Sequence, residues 1–143
     1  MNLVAWSQNM TAETAKLAGA ILVSKDQLFE RADILTIHLV LSSRTRGLVG
    51  AAELVKMKPT ALLINASRGP IVEEQALISA LKNKQIAGAA IDVFDIEPLP
   101  PSHAFRTLDN LLATPHLGYV SHGLYKTFYE DTVSNIRKWI DTH

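Results

Sequence analysis

The sequence predicts an α/β fold, a doubly wound parallel sheet with helices on both faces. Three observations carry that expectation. Short apolar runs alternate with stretches of helical periodicity along the 143 residues, the alternation that builds βα units. The longest runs, I-L-T-I-H-L at 34–39, A-L-L-I-N at 61–65 and A-A-I-D-V-F at 89–94, are nearly continuous in apolar residues. Strands covered on both faces read this way, whereas half-solvated strands alternate. Finally, Pro98, Pro100 and Pro101 crowd into one connection, outside every apolar run.

Taken in order, the expected strands are Leu3–Trp6, Ala20–Val23, Ile34–Leu39, Ala61–Asn65, Ala89–Phe94 and Leu111–Thr114. Helical spacing predicts Ala12–Ala18, Gln27–Ala32, Ala51–Met57 and Glu73–Lys84. The last is the best formed, because Glu73 and Glu74 open it and Lys82 and Lys84 close it, matching the helix dipole at both ends. Leu77, Ile78 and Leu81 give it an apolar face. The segment Asp95–Asp109 is too rich in proline for an element and is expected to be a surface loop. A final amphipathic helix spans about Leu124 to Ile140, with Leu124, Phe128, Ile136 and Ile140 on one side. Trp6 and Trp139 are expected to pack in the core or at an interface.

Composition narrows the function. Apolar residues make up 48% and charged residues 20%, and 14 basic side chains balance 14 acidic ones. No patch of one sign offers a footprint for nucleic acid or a membrane surface. No apolar run approaches the ~20 residues that a membrane span needs. Cysteine is absent, which excludes thiolate catalysis, disulfides and cysteine metal sites. His103, His122 and His143 show no metal-ligand spacing with one another or with His116, so no metal is expected. The expected location is the cytoplasm.

Ligands of an open parallel sheet bind outside the carboxyl ends of its strands. After A-L-L-I-N comes Ala66-Ser67-Arg68-Gly69. Within A-A-I-D-V-F and beyond it come Asp92 and then Asp95-Ile96-Glu97-Pro98. After L-L-A-T comes Pro115-His116-Leu117-Gly118. Three strands thus deliver an arginine, a glutamate and a histidine toward one edge. Arginine can grip a carboxylate with a two-pronged fork. Histidine can give a proton to a carbonyl oxygen or take one from a hydroxyl. A carboxylate nearby can orient the imidazole and favour its protonated form. Singly, the three have ordinary explanations: an exposed cation, a loop carboxylate and a hydrogen-bonded structural histidine. Their coincidence at strand ends favours the chemical reading.

The strings N-A-S-R-G-P-I-V, D-V-F-D-I-E-P-L-P and T-P-H-L-G resemble the three sequential motifs of the D-isomer-specific 2-hydroxyacid dehydrogenases, in that family's order and spacing. The likeness extends over essentially the whole chain, including H-L-V-L-S-S-R-T-R-G-L-V-G. It implies a Rossmann-like fold and hydride transfer between a nicotinamide cofactor and a D-2-hydroxy or 2-oxo acid. It further implies that Arg68 binds the substrate carboxylate and carbonyl, that His116 is the general acid–base, and that Glu97 is its hydrogen-bonded partner. Asp92 would hold the nicotinamide carboxamide, with Ala66 and Gly118 beside the ring. His38 and Thr45 would lie near the cofactor, which Arg68 and His116 also reach. A satisfied core role competes with that one for His38, which the pattern places inside a buried strand. The full-length family form is expected to be a homodimer.

The sequence also departs from that family. A G-x-G-x-x-G turn should precede this region, followed ~20 positions later by an acidic residue for the ribose. Neither is here, and the nearest glycines are Gly47 and Gly50. The chain opens at what resembles the second strand, so residues 1–143 are expected to be a partial dinucleotide-binding domain that carries the catalytic residues. The first βα unit and the substrate domain are expected to be missing. Ser7-Gln8-Asn9 stands where NAD enzymes usually place Asp or Glu, which admits NADP, but no basic residue is there to attract a 2′-phosphate, so NAD is expected, with Ser7 at the ribose. The competing expectation is a catalytically incompetent remnant that binds a nucleotide or a partner weakly. Without the first βα unit, an apolar face or open strand edge is expected to be uncovered near Leu3–Trp6 and Ile34–Leu39 unless a partner chain covers it.

Overall fold

Side-chain caps set where the first two helices begin in the computed structural model, which describes residues 1–143. The Thr11 side chain accepts from the Thr14 amide and opens α1 (Ala12–Leu17), while Ser24 and Gln27 form a reciprocal capping box that opens α2 (Lys25–Arg31). These bonds satisfy amides that a first helical turn otherwise leaves unpaired. In α3 (Ala51–Leu54) the Gly50 amide donates to Glu53, whose other oxygen takes Lys25 at 2.8 Å. That ion pair ties α2 to α3. Next, α4 (Glu74–Lys82) buries Leu77, Ile78, Ala80 and Leu81. Last comes α5 (His122–Thr142), which buries nothing.

Six strands pair in parallel: β1 (Val4–Ala5), β2 (Ile21–Leu22), β3 (Ile34–Ile37), β4 (Leu62–Asn65), β5 (Gly88–Ile91) and β6 (Leu111–Ala113). They form two sheets, β1-β2 and β3-β4-β5-β6. This is the Rossmann-like parallel architecture that the sequence predicts. The register aligns Ile37, Asn65, Ile91 and Ala113 in one row. The carboxyl ends of four strands therefore share one edge.

Alternation of side chains divides the larger sheet into two faces. Leu35, Ile37, Leu63, Ala89 and Ile91 share one face, packed with Phe29 of α2, Leu54 of α3, and Leu77 and Leu81 of α4. Burying a side chain the size of Leu63 contributes about 2 kcal/mol. The opposite face was expected to be covered as well, and it is not. Ile34, Leu62 and Leu112 are 53, 42 and 65% exposed. The reason is that α2, α3 and α4 all contribute to the same side. The remaining long helix, α5, stands away with Leu124, Phe128, Ile136 and Ile140 all exposed. Uncovered apolar surface also lies where it was expected, at Leu3 and Ile34, and β1 and β3 each keep one unpaired edge.

Three further expectations need correction. His38 does not lie inside a buried strand: β3 ends at Ile37, and His38 is exposed with its ring 3.0 Å from the Thr36 hydroxyl. Of the two settings expected for Trp139, the core is ruled out: the side chain is exposed, its ring stacked on His143. The loop Asp95–Asp109 is not all surface, because Leu99 and Phe105 enter the core and Ala104–Thr107 forms a 3-10 turn. Proline bars helix and strand there without barring burial. No helix is long and apolar enough to cross a membrane.

Candidate active site

The edge at Ile37, Asn65, Ile91 and Ala113 is where the chain leaves regular structure, and each exit is fixed differently. Beyond β4, the buried Asn65 brackets a turn: its Oδ1 accepts the Ser67 amide at 3.1 Å and its Nδ2 donates to the Arg68 carbonyl at 3.0 Å. The Ser67 hydroxyl donates to the Leu39 carbonyl beyond β3. Arg68 is left exposed, with one guanidinium nitrogen donating to the Ser67 carbonyl at 2.6 Å. Gly69 follows because nothing larger fits: a Cβ there would lie 2.2 Å from the Phe94 carbonyl carbon. The arginine turn thus rests directly on the chain leaving β5.

That chain carries Asp92 and Glu97. One Glu97 oxygen accepts the Phe94 amide at 2.9 Å, and the other meets His116 Nδ1 at 2.7 Å. The His116 hydrogen bond, reinforced by the Phe94 amide and by the charges of His116 and Arg68, outweighs burial and holds the Glu97 carboxyl below its ordinary range. With Nδ1 engaged, Nε2 is the nitrogen left for other chemistry. The ring of Tyr119, a residue the sequence did not single out, stands edge-on 6.1 Å away.

Asp92 is nearly buried. It accepts the Leu117 amide at 2.8 Å, the Gly118 amide at 2.7 Å and the Thr114 hydroxyl. Burial works to raise this carboxyl, but the three donors and the His116 charge prevail and hold it below the usual value. In this structure Asp92 therefore fixes the turn that presents His116, a task the resemblance did not include.

The remaining candidates are more dispersed. Ala66 is exposed at the arginine turn, and Gly118 adjoins His116. The Thr45 hydroxyl is spent on its own turn, donating to the Val40 carbonyl at 2.7 Å and accepting the Ser42 amide at 2.8 Å. His38 follows β3 on the same edge. Ser7 follows β1, in the other sheet, and its carbonyl accepts the Met10 amide.

The donor set suits the nicotinamide end of a dinucleotide with its substrate: an exposed guanidinium and a carboxylate-backed imidazole on one strand-end edge. No pyrophosphate-binding glycine turn occurs in residues 1–143.

The chain is similar to known proteins. The family model described as "D-isomer specific 2-hydroxyacid dehydrogenase, NAD binding domain" matches residues 1–118. Glyoxylate/hydroxypyruvate reductase B of Enterobacter agglomerans is 47% identical over 111 residues, 78% of this chain and 34% of that protein. The crystal structure of phosphoglycerate oxidoreductase from Vibrio cholerae O395 superposes with a TM-score of 0.92 at 34% identity, over all of this chain and 46% of that one. A D-isomer-specific 2-hydroxyacid dehydrogenase from Xanthobacter autotrophicus Py2, solved with NADPH and MES, gives 0.74 at 37% identity, over 81% and 37% of the two chains. The chain spans about a third of the length of the reductase it matches.

Proposed function

The chain belongs to the D-isomer-specific 2-hydroxyacid dehydrogenase family, as its NAD-binding domain, and from that premise we propose that it carries the catalytic edge of an oxidoreductase. The substrates are a small D-2-hydroxy acid and the corresponding 2-oxo acid. One observation carries the reading: His116 and Glu97 pair through Nδ1 at 2.7 Å, on the edge that also presents Arg68.

A bound nicotinamide cofactor would supply hydride chemistry at the substrate carbon. The chain's own residues do the rest. In reduction, His116 donates the Nε2 proton to the carbonyl oxygen as charge grows there, and in oxidation it removes the hydroxyl proton. Glu97 fixes the orientation of the imidazole through Nδ1. Arg68 turns its guanidinium from the Ser67 carbonyl to the substrate carboxylate, which its fork matches. Asp92 holds the His116 turn, leaving the carboxamide role as a second use of its free lone pair. Ala66 and Gly118 admit the ring because neither projects a side chain beyond a methyl. His38, Thr45 and Ser7 mark the cofactor's path toward the ribose. We take NAD as the cofactor with NADP accepted, since Ser7-Gln8-Asn9 offers neither a carboxylate to repel a 2′-phosphate nor a cation to attract one. The assembly proposed for the complete enzyme is a homodimer.

The alternative reading is a module that binds a nucleotide or a partner weakly, without turnover. One assay separates the two. Glyoxylate, hydroxypyruvate and pyruvate are offered with NADH or NADPH to the 143-residue chain, and to the same region joined to a glycine turn and a substrate domain. The first reading expects turnover in the longer form and its loss in His116→Ala. An inactive longer form, with cofactor demonstrably bound, would leave the second.

A further inference from the structure

Glu97 can serve His116 only if the loop beneath it stays in place, and that loop has little regular structure of its own. Residues 95–109 contain a single 3-10 turn. Leu99 and Phe105 anchor the loop in the core, and Arg106 closes it on itself by donating to the Pro100 and Leu99 carbonyls at 2.9 and 2.7 Å. Apart from Glu97, the side chain that bonds the loop to another element is His103, whose Nε2 lies 3.0 Å from Glu74 Oε1.

Both ring nitrogens of His103 are committed. The Phe105 amide, which can only donate, points at Nδ1 from 3.2 Å. Nδ1 must therefore carry a lone pair, and the ring proton sits on Nε2, directed to Glu74. The two side chains are only 17 and 22% exposed, and the imidazole packs 4.8 Å from the Phe105 ring. Water competes weakly for this bond.

Glu74 occupies the first turn of α4, just beyond the Arg68–Ile71 segment. Its neighbours explain why it needs a donor. Burial, and then the charge of Glu74, push the Asp95 carboxyl above its ordinary value, while the charge of Arg46 draws it down. Two carboxylates that repel each other gain from a hydrogen bond to one of them. Behind the pair, a cavity of about 10 Å³ lies among Asn65, Gly69, Glu74, Asp95 and Phe105, too small for more than one water. Here the arginine turn, α4 and the glutamate loop meet.

We propose that His103 is a positioning residue. As a neutral imidazole bridging Glu74 and the Phe105 amide, it latches the 95–109 loop to α4 and so holds Glu97 against His116.

The test reads Glu97 directly, by carbon-13 NMR titration of its carboxyl in the 143-residue chain. In the wild type it titrates below the ordinary range. His103→Ala and Glu74→Ala each return the midpoint toward the ordinary value. His103→Gln, whose amide nitrogen takes the place of Nε2, keeps the wild-type midpoint, as does Glu74→Gln, which still accepts. His103→Asn keeps an acceptor for Phe105 without reaching Glu74, and behaves like alanine. If His103→Ala loses its fold, the Gln and Asn variants still carry the contrast. The kinetic arm rests on the proposed function and uses the longer, active form. There His103→Ala lowers kcat roughly 10- to 100-fold with the cofactor KM unchanged, and His103→Gln restores it. An unmoved Glu97 midpoint in both alanine variants overturns the latch. A midpoint that moves as described in a protein lacking all turnover supports the latch and overturns the proposed function instead.

Discussion

Asp92 lies directly beneath Gly118: its Oδ2 accepts the Gly118 amide at 2.7 Å, and a Cβ on that glycine would come within 3.0 Å of the same oxygen. The other oxygen takes the Leu117 amide and the Thr114 hydroxyl. Between these anchors His116 sits at φ 58°, a left-handed conformation that costs a non-glycine residue about 1 kcal/mol or more. The anchors offset that cost.

Removing the carboxylate should therefore loosen the histidine as well as the fold. Asp92→Ala is expected to lower stability by about 1–3 kcal/mol, the cost of stranding the partly buried donors that Asp92 accepts from. In an active longer form it should reduce kcat more than it raises the substrate KM. Urea denaturation and steady-state kinetics check the two effects, and unchanged stability would remove Asp92 from its anchoring role.

Acid should expose the same dependence. Asp92 and Glu97 are both held below their ordinary values in the folded chain. Between those depressed values and the ordinary carboxylate range, the unfolded chain binds more protons than the folded one. Their contribution is complete above the ordinary range, at about pH 4, and is lost as pH falls through the depressed values. Denaturation midpoints measured from pH 7 down to pH 2 should decline, and Asp92→Asn should flatten the decline.

Gly69→Ala tests the contact between the arginine turn and the glutamate loop. A methyl 2.2 Å from the Phe94 carbonyl carbon must displace backbone on one side or the other. The expected cost is about 3 kcal/mol, at the upper end for overpacking, with the Glu97 and His116 resonances shifted together. A variant as stable as wild type would mean that the two segments move freely.

The catalytic assignments separate by kinetics. His116→Ala should cut turnover by at least ~10²-fold, the contribution typical of a positioned acid–base group. Arg68→Lys keeps the charge but loses the fork, and should raise the KM for the 2-oxo acid roughly tenfold while sparing cofactor affinity. Fluorescence titration with NADH checks the latter. Equal losses of substrate and cofactor binding would place Arg68 elsewhere.

The uncovered apolar surface has its own consequence. With Ile34, Leu62 and Leu112 exposed on one sheet face and Phe128, Ile136 and Trp139 exposed on α5, the 143-residue chain should self-associate. Sedimentation over a concentration series is expected to show mass rising with concentration. A concentration-independent monomer that unfolds cooperatively would refute this.

The sequence by itself determined the parallel βα architecture and the edge on which the chemistry gathers. Apolar runs of four to six residues, separated by helical periodicity and ending in Arg68, Asp92 and His116, record these locally, residue by residue. Caps at Thr11 and Ser24, and charges at the ends of α4, record the helices in the same local terms. Tertiary structure alone decided the rest. Whether a strand's second face is covered depends on where distant helices return, so the exposure of Ile34, Leu62 and Leu112 could not be read from their own runs. His38 was misjudged for that reason: its neighbours are apolar, but β3 stops before it. Asp92 holding Gly118, and His103 holding Glu74, join residues 26 and 29 positions apart. Such bonds exist only once folding has brought these segments together, because each partner lies far along the chain.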